Sequence, residues 1–224
     1  PQHRSDALRR QWGVQGDEPV ILLVGRLAKE KNVGLVVAAF RAIKARVPDV
    51  KLVFVGDGPL RKALTEACPE ATFAGVQKGG DLAAHYASAD LFLFPSMTET
   101  YGNVVPEALA SGLAVVSYDC AAALELIESG DNGVLVPTGD DVSFVNAAVQ
   151  LAVDPERIAR FRAAAAKAVA DRSWDAVADT FLHTLRSVLE RHGRPFASVP
   201  ASRANASGLP AKERLAHSHA RPLL

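Results

Sequence analysis

Cysteine, uncompensated charge and long apolar runs are all scarce in this sequence, and each scarcity removes a class of protein. Only Cys68 and Cys120 are present. They form no framework of pairs and lack metal-ligand spacing, so the chain reads as a reduced, cytosolic protein with two small buried thiols. Lys plus Arg number 25 and so do Asp plus Glu; nothing in that balance invites nucleic acid or an anionic bilayer. No apolar stretch reaches the roughly 18 residues that cross a membrane, and no secretory-signal pattern opens the sequence. Any membrane contact is therefore expected to be peripheral, at the inner face. What remains is 224 residues, 49% of them apolar. That is enough for one substantial core and a helical appendage, but not for two full domains.

The most informative stretch runs from Asp90 to Ser117. Leu91-Phe92-Leu93-Phe94 is a short apolar run stopped by Pro95, which predicts a strand buried on both faces, and Leu113 to Ser117 predicts the next. Between them a polar segment, Ser96 to Gly102, leads into a short helix that carries Pro106 and ends at Gly112. In a strand–loop–helix–strand unit the loop lies at the carboxyl end of a parallel strand. The helix opens with amides that have no intrahelical acceptor. Gly102 permits close approach to the backbone, and Asn103 and Val104 follow with free N–H groups, so a phosphate is the natural guest. Glu99 and Glu107 flank that guest. Carboxylates repel phosphate but accept strongly from hydroxyls, and a diphosphate with a polyol on each side describes a nucleotide sugar. The plainer alternative is a loop carboxylate and a solvated helix residue.

The E-x7-E pair within Glu99-Thr100-Tyr101-Gly102 through Glu107-Ala108, followed by A-x-A-x-G and an apolar strand, resembles the donor-binding half of retaining glycosyltransferases of the GT-B architecture, family 4. The resemblance implies that Glu107 binds the ribose, Glu99 the transferred sugar, and the backbone from Gly102 through Asn103 to Val104 the diphosphate and sugar, with Tyr101 beside them. Gly25-Arg26-Leu27-Ala28-Lys29-Glu30-Lys31 follows an apolar run, Val20 to Val24, and matches the family's second hallmark, G-R-x-x-x-E-K. There the Arg and Lys, here Arg26 and Lys31, neutralise the departing diphosphate, and Glu30 orients one of them. Read alone, that loop is equally a solvated charge cluster. The backbone near Val76 would meet the base. No metal or other cofactor is implied, and Glu99 positions the sugar rather than acting as a nucleophile. Two departures stand out: alanines at 121 to 123 where relatives carry a glycine pair before Glu125, and Ala114 where proline is usual.

The remaining chain fits one domain. Ser5 caps a short helix ending at Gly13, and residues 1–19 resemble a post-linker segment, as if an amino-terminal domain had just finished. Val50 to Gly56 is a second strand. The Gly56-Asp57-Gly58 turn after it has no glycine three places on, so it does not make a dinucleotide fingerprint. Asn32 is expected to cap a helix from Val33. His85 reads as a helix-surface or interface residue, and Asp140, Asp154 and Ser173 as caps of the closing helices. Residues 193–224 turn to Arg, Pro, Ser and Gly and read as a disordered tail.

The expected fold is a Rossmann-like α/β domain over residues 20–192, about six mostly parallel strands with helices on both faces and the site along their carboxyl edge. The expected function is binding of a nucleoside-diphosphate sugar and, with an amino-terminal acceptor domain, transfer of a hexosyl group of mannosyl or glucosyl type to a saccharide, lipid or small molecule. A donor-binding module without activity, a sugar-nucleotide epimerase of the same architecture and a purely structural α/β domain are the alternatives.

Overall fold

The computed structural model describes residues 4–172 and 174–191. The cap expected at Ser173 and the tail from 193 lie outside them. Six strands, β1 (Val20–Val24), β2 (Lys51–Val55), β3 (Thr72–Gly75), β4 (Leu91–Phe94), β5 (Ala114–Tyr118) and β6 (Gly133–Val136), form one sheet in the order β3-β2-β1-β4-β5-β6. Every pairing is parallel. The chain works outward from β1 to β3, returns across the sheet, and works outward again from β4 to β6. The order reverses between β1 and β4, and the crevice beyond the carboxyl ends of those two strands is where such a sheet opens.

Both faces of the sheet are buried, which is why its strands read as unbroken apolar runs rather than alternating ones. Ile21, Leu23, Leu52, Phe54, Leu91, Leu93 and Val116 pack on one side. There they meet Phe40 and Ile43 of α2 (Val33–Lys44), Leu64 of α3 (Arg61–Ala67), Phe144 and Leu151 of α7 (Asp141–Ala152), and Phe161 of α8 (Pro155–Ala168). Val20, Leu22, Val24, Val53, Phe92, Phe94 and Val115 pack on the other, against Tyr86 of α4 (Gly79–Ser88), Val105 and Leu109 of α5 (Val104–Ala110), and Leu126 of α6 (Ala121–Leu126). A period of two thus feeds two cores from one set of strands.

Caps behave largely as their residue types dictate. Ser5 accepts from the Leu8 amide at the start of α1 (Asp6–Gln11), Asp140 from Ser143 and Asp154 from Arg157. Asn32 differs from expectation. It sits in the left-handed region at φ 48°, makes no capping bond, and turns its amide toward Asp141 at 3.5 Å. His85 is buried rather than at the surface, its Nδ1 2.7 Å from the Asp81 carbonyl and its ring 5.6 Å from Trp12. At the amino end of β4, Asp90 gathers three guanidinium groups, from Arg4 at 2.6 Å, Arg162 at 2.7 Å and Arg9 at 3.0 Å, and the Val20 amide at 2.9 Å. This charge-assisted cluster ties α1 and α8 to the strand ends opposite the crevice.

The chain divides into two compact units, and α9 (Trp174–Arg191) falls in the second. Its Val177, Phe181, Leu185 and Val188 are exposed.

The glycine pair after β2 has a packing role. A Cβ on Gly56, whose φ is 133°, would lie 1.9 Å from the Gly25 carbonyl oxygen, and one on Gly58 would lie 2.5 Å from that of Leu27. Leu27 in turn donates to Asp57 and accepts from Leu60, both at 3.0 Å. The loop after β2 is therefore a backbone buttress for the loop after β1. Gly56→Ala is expected to destabilise by about 3 kcal/mol, the upper part of the usual range for one substitution. Gly34→Ala, in α2 with open space around it, should instead stabilise by up to about 1 kcal/mol. Urea unfolding of both variants checks the pair; equal midpoints would contradict the buttress.

Candidate functional site

The loops leaving β1 and β4 enclose a cavity of about 320 Å³ at the point where the strand order reverses. Gly25 and Lys31 come from the first loop; Glu99, Thr100, Tyr101, Gly102, Asn103 and Val104 come from the second, with Val24 and Phe94 at the strand ends. Seven residues singled out from sequence, Gly25, Lys31, Glu99, Tyr101, Gly102, Asn103 and Val104, are thus brought to one wall. The two loops are also stitched to each other, because the Met97 amide donates to the Glu30 carbonyl at 2.9 Å.

Each element has a local cause. A 3-10 turn, Lys29–Lys31, lifts Lys31 out of the β1 loop. Its ammonium pairs with the Glu99 carboxylate and lies 5.8 Å from the centre of the Phe94 ring. Both partners are mostly screened from water, with side-chain exposures of 19% and 12%, so the pair is held more strongly than a surface one. Gly102 has φ 84°, a conformation that disfavours any side chain. It turns the chain so that α5 begins at Val104, and the Asn103 side chain makes no capping bond. The amides of Asn103 and Val104 stand at the start of that helix, where no intrahelical acceptor exists.

Three further predicted residues stand apart from the cavity wall. Arg26 is at the rim, 68% exposed, 3.7 Å from Glu30 across an i,i+4 pair, so the cation that Glu30 engages is Arg26. Val76, beyond β3, is 62% exposed. Glu107 is not among the cavity-lining residues; it lies one turn along α5 from Val104, which is, and accepts a hydrogen bond from the Tyr86 hydroxyl at 2.8 Å. Burial pushes the Glu107 carboxyl above its ordinary range, while the Tyr86 bond pulls the other way; burial first, then the Glu107 charge, pushes the Tyr86 phenol well up. Arg26, Glu107 and Val76 thus lie outside the cavity lining.

Sequence reading missed three contributors. Phe94 was assigned only to the strand, yet its ring lies beside Lys31. Tyr86 lies 21 positions before Glu107, a separation that no local pattern links. Ala121 holds φ 49°, a left-handed conformation unusual for a residue with a Cβ, and the next amide, Ala122, donates to the Tyr101 carbonyl at 2.8 Å. The glycine-to-alanine departure noted at this position therefore does not remove the turn. Cys120 sits 3.7 Å from the Ser96 carbonyl, its thiol pushed up by burial and then by the nearby Glu99 charge. Among the described residues, no group of three or more His, Cys, Asp or Glu could hold a metal ion, and no helix is long and apolar enough to cross a membrane.

With this geometry in place, the comparisons with known proteins are decisive. The family model described as "Glycosyl transferases group 1" matches residues 18–154. The chain belongs to that family. It is 38% identical over 191 residues to a GDP-mannose-dependent alpha-mannosyltransferase of Mycobacterium tuberculosis, covering 85% of this chain and 48% of that protein. It is 36% identical over 189 residues to the protein of the same description from Corynebacterium glutamicum, covering 84% and 45%. Among solved structures, Anabaena Alr3699/HepE in complex with UDP-glucose superposes with a TM-score of 0.67 and 27% identity, over 81% of this chain and 52% of that one. The chain spans about half the length of the curated relatives it matches. Its fold is the Rossmann-like half-domain of the GT-B architecture.

The raised Glu107 pKa has a testable sign. A carboxyl whose folded-state pKa lies above 4.5 binds its proton more tightly when folded. Its contribution favours folding below the unfolded value and is lost as pH rises through the folded one. Glu107→Gln should therefore be more stable than the native chain at pH 7, with the advantage shrinking as pH falls through 5 toward 4. Denaturant melts across that window measure it; an advantage independent of pH would contradict burial as the cause.

Proposed function

We propose that this chain binds the nucleoside-diphosphate sugar donor of a glycosyltransferase and supplies the donor side of a hexosyl transfer that retains the anomeric configuration. One observation carries this: a single cavity, at the reversal of strand order, collects a screened cation, unpaired helix-opening amides and a carboxylate. Those groups match a diphosphate joined to a polyol. The named relatives are GDP-mannose-dependent mannosyltransferases and the superposed neighbour holds UDP-glucose, so GDP-mannose is the first donor to try and UDP-glucose the second.

Breaking the bond between the anomeric carbon and the diphosphate leaves negative charge on phosphate oxygens. Lys31 and the Asn103 and Val104 amides would face that charge, with Arg26 adding a second cation from the same loop as Lys31. Charge neutralisation by these groups takes the part a divalent cation plays elsewhere. Glu99, paired with Lys31 in the structure, becomes an acceptor for sugar hydroxyls when a diphosphate takes over the ammonium. Glu107 accepts from the ribose. The acceptor, saccharide or lipid, belongs to the other half of a two-domain enzyme. In consequence this chain alone binds donor without appreciable turnover.

Calorimetric titration with GDP and UDP tests the assignment. Lys31→Ala is expected to weaken nucleoside-diphosphate binding by about 10- to 100-fold, the loss of one charge-assisted contact, and Arg26→Ala by less, since it starts at the rim. Unchanged affinity in both variants would contradict the site. Release of nucleoside diphosphate from GDP-mannose, with and without a supplied amino-terminal half, separates a donor-binding module from a self-sufficient enzyme.

A further inference from the structure

Glu107 is an expensive residue to place where it is. A carboxylate has about four acceptor sites. Here one oxygen accepts from Tyr86, and among the described residues no group bonds the other. A half-buried anion with a single neutral donor loses more hydration than it recovers, which is the reason its pKa rises. That second oxygen is not buried, so the partly desolvated carboxylate, one turn along α5 from the cavity-lining Val104, is open to a ligand that brings hydroxyl donors.

The tyrosine itself is immobile. Tyr86 is 2% exposed, and its ring packs against Phe92 at 5.9 Å. Phe92 stacks on Phe94 at 5.7 Å, and Phe94 lies beside the Lys31 ammonium. One aromatic row therefore runs beneath the site from the hydroxyl that holds Glu107 to the cation that faces the cavity. The row spans the two flanks, and of its three rings Phe94 lines the cavity.

We propose that Tyr86 is a positioning residue for the nucleotide ribose: its hydroxyl holds one oxygen of Glu107 so that the second is presented, in a fixed orientation, to a ribose hydroxyl. This deepens the assignment of Glu107 to the ribose and rests on it. Removing the Tyr86 hydroxyl leaves the ring packing intact but lets the carboxylate turn, so the loss falls on ligands that carry the hydroxyl and spares those that lack it.

A cycle of protein and ligand changes measures this. The nucleotide is whichever of GDP, UDP and ADP binds most tightly, together with its 2′-deoxy and 3′-deoxy forms, titrated into the native chain, Tyr86→Phe and Glu107→Ala. In the native chain the deoxy form that lacks the contacted hydroxyl should bind about 10-fold more weakly. In Tyr86→Phe the intact nucleotide should weaken by about 5- to 10-fold while that deoxy form is unchanged, so the gap closes. Equal weakening of both forms would assign Tyr86 to packing alone and overturn the inference. If Glu107→Ala leaves the gap open, or none of the three nucleotides binds, the ribose assignment falls and this inference with it. If Glu107→Ala closes the gap and Tyr86→Phe does not, only the inference about Tyr86 falls. Should Tyr86→Phe not fold, 3-fluorotyrosine installed at position 86 keeps the ring and donates more strongly; there the gap must widen, and a narrower gap overturns the proposal.

Discussion

A parallel sheet whose order reverses cannot seal its carboxyl edge at the reversal, because the connections from the two central strands leave in opposite directions. In this molecule that place lies between β1 and β4, and every feature of the candidate site follows from it. The loop after β1 carries the cations, the loop after β4 carries the acid and the helix-opening amides, and the Met97–Glu30 backbone bond stitches them across the gap. The glycines at 56 and 58 are constrained for the same reason, since the loop after β2 must lie flat against the loop after β1 to hold it in place. At the other end of the strands, the Asp90 cluster anchors two helices with no bearing on the crevice.

Electrostatically the site is self-neutralised. Lys31 and Glu99 satisfy each other, and Arg26 pairs with Glu30 outside. On the proposed function, the diphosphate of a nucleotide sugar would exchange for Glu99 at Lys31 and so couple the binding of its two halves through a single ion pair. The Tyr86–Phe92–Phe94 row runs from the Glu107 carboxylate to the Lys31 ammonium.

Much of this was legible in sequence because the relevant signals are local. Burial of both sheet faces leaves unbroken apolar runs, so β1, β4 and β5 announce themselves, and Gly102 marks a backbone turn that the φ of 84° requires. Ser5, Asp140 and Asp154 cap because capping is a contact three residues long. What escaped is what depends on distance along the chain. Asn32 is drawn from capping by Asp141, 109 positions away; Lys31 and Glu99 pair across 68 positions; Tyr86 meets Glu107 from another helix. The sequence also carried no sign that Arg26 would rest at the rim while Lys31 lines the wall.

Amide resonances report most directly on whether the crevice receives a diphosphate. At 23.7 kDa the chain is within reach of ¹⁵N–¹H correlation spectra, and titration with GDP or UDP should shift the backbone signals of Gly25, Gly102, Asn103 and Val104 together, with one saturation curve. Shifts confined to other parts of the sheet edge, or none at millimolar nucleotide, would contradict the site.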